Sequence, residues 1–122
     1  MTEKITADEL SAHLAGFHCS EHLYRHPLSR TVCYTDGVKA LAELAGAYWL
    51  IDAVLSHQPN PLVRQEPFQV WVLSRITGRR FALEMNDGNS ERAIVRQDIE
   101  YSDFPLDTIS LYLTDGVLML PG

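Results

Sequence analysis

The chain has 122 residues, near the size of one domain, with 46% hydrophobic and 21% charged residues. A chain of that length buries roughly two-thirds of its unfolded surface, so this composition argues against global disorder and against any need for a disulfide or metal staple. The formal charge of −6 with neutral histidines argues against a general grip on nucleic acid, which takes a basic field.

Thr6-Ala7-Asp8-Glu9 is a capping box in which Thr6 caps and Glu9 reaches back to the Thr6 amide. Leu10, Leu14 and Phe17 then recur at i, i+4 and i+7, which predicts a short amphipathic helix from about 7 to 17. His18 to Ser29, aromatic and basic with Pro27, reads as an ordered loop, and Thr31 to Tyr34 as a short strand. Thr35 or Asp36 caps a second helix that should run to about His57, before Pro59 and Pro61. Leu41, Leu44, Tyr48, Ile51 and Leu55 form its core stripe, with Lys39, Glu43 and Gly46 opposite. Leu50 and Val54 extend the apolar circumference beyond one sheet face, which suggests self-association as a homodimer.

After Pro67 the period changes from 3.6 to 2. Phe68 to Leu73, Arg80 to Met85 and Ala93 to Ile99 read as strands, joined at Thr77-Gly78 and at Asp87 to Ser90. Following a loop from Ser102 to Asp107, Ile109 to Leu113 forms a hairpin with Val117 to Leu120 across Asp115-Gly116. The expected fold is one α+β domain over residues 1–122, with two helices on one face of a four- to five-strand, mainly antiparallel sheet.

No segment has the roughly 18 apolar residues of a membrane span, since Ala40 to Leu55 carries Glu43 and Asp52. Met1 to Lys4 lead into a polar helix start and not the apolar core of a signal peptide, and Cys19 and Cys33 form no C-x-x-C pair. Reduced thiols, a cytoplasmic location and no membrane are the expectation. Neither a phosphate-binding glycine loop, a nucleophile elbow nor an H-E-x-x-H motif occurs. His18, Cys19, His22 and His26 have ligand chemistry, yet Pro27 interrupts any helix there and no second ligand pair follows. No metal and no cofactor are therefore expected.

Asp52 falls inside the stripe, about 40° from Tyr48 on the helical wheel. A carboxylate there needs a partner, because leaving it buried and unpaired costs several kcal/mol. The candidates are Arg25, His26 and Arg30, with Tyr24, Tyr34 and Tyr48 as hydroxyl donors. Asp52 either anchors the loop from Tyr24 to Arg30 or orients His26 as the acid/base pair of a small hydrolase-like enzyme. Tyr24, Arg25, His26, Tyr48, Trp49 and Asp52 are the candidate binding residues. Arg75, Arg80, Arg92 and Arg96 could give a sheet face that binds nucleic acid, but Glu84, Asp87 and Glu91 are interleaved with them.

Tyr24-Arg25-His26, Tyr34-Thr35-Asp36-Gly37-Val38 and Ala45-Gly46-Ala47-Tyr48-Trp49-Leu50-Ile51-Asp52 resemble a bacterial domain-of-unknown-function family of about this length. Phe68-Gln69-Val70-Trp71 and Gly116 to Pro121 continue the resemblance over nearly the whole chain. The family is found in plasmids, phages and genomic islands and has no established activity. The resemblance implies an accessory role, in plasmid or phage fitness or in countering host defence, and no catalytic residue. A non-catalytic accessory protein with a protein partner is thus the leading expectation.

Overall fold

In a computed structural model, residues 6–14, 23–25, 32–88 and 92–121 are described. Their order is α1 (Ala7–Leu14), β1 (Leu23–Arg25), β2 (Cys33–Thr35), α2 (Asp36–Ala45), α3 (Tyr48–Ser56), α4 (Pro61–Arg64), β3 (Phe68–Thr77), β4 (Arg80–Asn86), β5 (Val95–Ile99), β6 (Thr108–Thr114) and β7 (Val117–Met119). The fold is α+β. One sheet has the strand order β1-β2-β7-β6-β3-β4-β5, antiparallel except where β2 runs parallel to β7.

Local signals set most of the elements. The Glu9 amide donates to Thr6 Oγ1 at 3.2 Å, while the Thr6 hydroxyl donates to Glu9 Oε1 at 3.0 Å. The box therefore closes through that hydroxyl and not through the Thr6 amide. Thr35 caps α2 by accepting from the Val38 amide at 3.3 Å. Asp115 and Gly116 both take positive φ, 52° and 74°, as the tight turn between β6 and β7 requires.

The expected long helix is two helices. Gly46 is left-handed (φ 62°, ψ 38°), and the Ala47 amide donates to Ala42 O at 2.8 Å, the bond that ends a helix in a Schellman motif. Phase is lost at that turn. In α2 the buried positions are Gly37, Val38, Leu41, Ala42 and Ala45; in α3 they are Leu50, Ile51 and Val54. A Cβ at position 46 would meet nothing within 4 Å, so Gly46→Ala should cost only backbone strain, about 1 kcal/mol. Gly46→Asn should recover part of that loss in a urea titration.

Two further elements differ from expectation. Asn60 accepts from the Leu62 amide and Pro61 takes the first helical position, which makes a short helix after the prolines. Leu23–Arg25, within the segment read as a loop, pairs with β2. With the pairing of β2 to β7, the strand total becomes seven and not four or five.

Alternation along the strands sends Trp71, Leu73, Phe81, Leu83, Met85, Leu111 and Leu113 into one core with Leu10, Val38, Leu41, Leu50, Ile51 and Val54 from the helices. Leu50 and Val54, expected on a self-association surface, are 1% and 0% exposed within the chain itself. No described helix is long and apolar enough to cross a membrane.

Candidate functional site

Where α2 and α3 meet the β1–β2 end of the sheet, five side chains form one polar and aromatic cluster, with Tyr34 as its buried floor. Tyr24 and Tyr34 are opposite each other in the β1–β2 register, so their rings share a face and stack with centroids 5.8 Å apart. Lys39 and Glu43 lie one turn apart on α2 and form an ion pair of 2.7 Å. The Lys39 ammonium lies 5.0 Å from the centre of the Tyr24 ring, within cation–π range. The turn at Gly46 brings Tyr48, the first residue of α3, back so that its hydroxyl donates to Glu43 Oε1 at 3.2 Å.

The electrostatics hold this set in one protonation state. The Lys39 hydrogen bond, then that of Tyr48, lowers the Glu43 carboxyl below its ordinary range. Glu43 raises the Lys39 ammonium. Partial burial, then the bond to Glu43, raises the Tyr48 phenol. The tie therefore loses strength as pH falls through the lowered Glu43 value, or as it rises through the raised Tyr48 and Lys39 values. None of the three groups titrates near neutrality, so the cluster suits a fixed contact surface better than proton transfer. Tyr48 remains 42% exposed.

Sequence reasoning named Tyr24 and Tyr48 but gave Lys39 and Glu43 only a place opposite the core stripe. Their i, i+4 spacing was visible; the aromatic rings on either side were not. Trp49 packs partly buried against the core, and Arg25 is exposed on β1. His18, Cys19, His22, His26 and Arg30 lie outside the described residues, as does most of the loop that Asp52 was expected to anchor.

Asp52 itself is exposed, not set in the apolar stripe. The stripe that contained it assumed one helical phase through Gly46; after the turn, the inward side of α3 is Leu50, Ile51 and Val54. The requirement for a buried partner disappears with that correction. Asp52→Asn should cost less than about 1 kcal/mol, as for exposed charged groups, and a urea titration giving 3 kcal/mol or more would contradict the exposed placement.

The arginines are also divided. Arg75 turns toward the core side, where it covers the Phe81 ring at 4.7 Å and bonds the carbonyl of Phe104 at 3.0 Å. Arg96 is paired with Asp98 at 3.1 Å and Glu84 at 3.8 Å, and Arg92 lies outside the strands. They do not form one basic sheet face.

A second polar group, unseen in the sequence, joins the end of α3 to the sheet. His57 Nε2 lies 2.8 Å from Gln97 Oε1, and its ring tilts against Trp71 at 5.5 Å. Gln58 and Gln69 exchange amide bonds of 3.0 and 3.1 Å beside it. His57 and Gln58 thereby tie the end of α3 to β3 and β5. Among the described residues no cluster of three or more His, Cys, Asp or Glu could hold a metal ion.

A model of a family of unknown function (DUF6876) matches residues 8–122, and the chain belongs to that family. No curated protein and no solved structure matches it.

Proposed function

We propose that this protein is a non-catalytic accessory protein that works by binding another protein through the surface of Tyr24, Lys39, Glu43 and Tyr48. The observation that carries the reading is the chain of contacts from Tyr48 through Glu43 and Lys39 to the Tyr24 ring. Those contacts order the exposed Tyr48 ring and the half-buried Tyr24 ring before any partner arrives, which reduces the entropy lost on binding. Tyrosine is also among the residues that dominate interface energetics. A cytoplasmic location, inferred from the residues, and an accessory role in a bacterium carrying a mobile genetic element, which rests on the resemblance alone, belong to the same proposal. The rival readings have less support: Asp52 is exposed, so it does not require a buried pair with His26, and Arg75 and Arg96 are already engaged with Phe104, Asp98 and Glu84.

Affinity capture from the native cell tests this with three baits: wild type, Tyr48→Ser, and Tyr101→Ser as a control on the loop after β5. Truncating a central tyrosine typically weakens a complex by about 30-fold. One protein should be retained by wild type and Tyr101→Ser and lost from Tyr48→Ser. Identical capture by all three baits would place the binding surface elsewhere.

A further inference from the structure

Strand β5 ends the sheet, pairing with β4 on one side only among the described residues. An edge of this kind presents unpaired amide and carbonyl groups and is a template for another strand. Its sequence is Val95-Arg96-Gln97-Asp98-Ile99, which is complementary to itself when read antiparallel. With Gln97 opposite Gln97 of a second copy, Val95 meets Ile99, Arg96 meets Asp98, and each pairing occurs twice about the two-fold axis. We propose that β5 pairs with β5 of a second copy, joining two sheets into one through an isologous edge contact.

The side-chain geometry supports this occupant over a strand of unrelated sequence. Arg96 and Asp98 project on the same side of the strand and are well exposed, at 50% and 69% of their side-chain surface. They already form a 3.1 Å pair within the chain, so across the two-fold each can exchange its partner for the identical group of the other copy. Residues directly opposite in antiparallel strands lie about 5 Å apart at Cβ, close enough for this exchange. Protective edges commonly carry charge that repels an incoming strand; here the charges that face each other across the axis, Arg96 and Asp98, are opposite in sign. The other edge, β1, lacks this property, because Leu23 would meet Arg25. Five residues of edge contact bury less than the roughly 1,600 Å² of a standard interface, so the dimer should be reversible and concentration-dependent.

Sedimentation equilibrium of the full chain at about 0.15 M salt, which screens the net charge, tests the pairing. Glu84 lies 3.8 Å from Arg96, so every variant is made in a Glu84→Gln background, with thermal melts to confirm folding. The background protein should rise from 13.8 kDa toward twice that mass as concentration increases to about 1 mM. Arg96→Asp, which sets like charges opposite one another, should weaken association at least 10-fold. Adding Asp98→Arg to it restores complementarity in reverse and should bring association back to within about 3-fold. A mass of 13.8 kDa at every concentration, a dimer indifferent to Arg96→Asp, or a folded double variant that stays monomeric would each overturn the proposal.

Discussion

Gln69→Leu is expected to lower unfolding free energy by about 3–4 kcal/mol, although leucine fills nearly the same space. Gln69 is 4% exposed and satisfies three neighbours at once. Its Oε1 accepts from Trp71 Nε1 at 2.9 Å and from Gln58 at 3.0 Å, while its Nε2 donates to Val63 O at 3.0 Å. Trp71 and Val63 are 1% and 0% exposed, so water cannot replace the lost bonds. Each buried orphan costs about 1–3 kcal/mol, and two of them account for the estimate. Gln69→Glu should do no better, because it keeps the acceptor for Trp71 but turns a carboxylate toward the Val63 carbonyl. Trp71→Phe added to Gln69→Leu removes one orphan, so the double variant should cost less than the sum of the single changes. Urea titrations of the three variants measure this, and a cost below about 1 kcal/mol for Gln69→Leu would show that the network does not hold α4 to the sheet.

Arg75→Ala should cost about 2–3 kcal/mol and loosen the segment from Ser102 to Asp107. The guanidinium donates to the carbonyls of Phe104 at 3.0 Å and of Gly78, and to Asp107 Oδ1 at 2.9 Å. It also covers the Phe81 ring, which meets Phe104 edge-on at 6.2 Å. The loss comes from the carbonyls and the ring contact and not from the ion pair: the Asp107 side chain is 90% exposed, so Asp107→Asn should cost less than about 1 kcal/mol. Arg75→Lys is not conservative here, since a single ammonium cannot reproduce the planar fork on several acceptors. Urea titration gives the totals. Hydrogen exchange should show the Phe104 amide, bonded to Ser102 Oγ at 3.1 Å, losing protection in Arg75→Ala before the strands do.

Elements governed by near neighbours in the chain were legible from the residues alone. Thr6 with Glu9, Thr35 with Val38, and Asp115-Gly116 act over two or three residues, and the alternation of Phe81, Leu83 and Met85 with Arg80, Ala82 and Glu84 marked the core side of β4; β3 is apolar on both faces, and only packing chose Trp71 and Leu73 over Val70 and Val72. Gly46 lay on the border of that class. It is an ordinary helix terminator, but the apolar periodicity on either side ran through it closely enough to suggest one helix. That error in phase moved Asp52 into the core and left Leu50 and Val54 outside, and it produced a requirement for a buried carboxylate partner and a dimer surface at Leu50 and Val54 that the structure does not bear out. In the candidate site, two tyrosines were recognised by residue type, while the carboxylate and ammonium that order them were not. Pairing of β2 with β7, the Gln69 network, the turn of Arg75 toward Phe81 and the joining of Tyr24 to Tyr48 all depend on residues brought together by folding. Backbone propensity and hydrophobic period act locally and can be read along the chain. Hydrogen bonds and charge pairs between distant segments depend on distance and angle, and tertiary packing alone decided those.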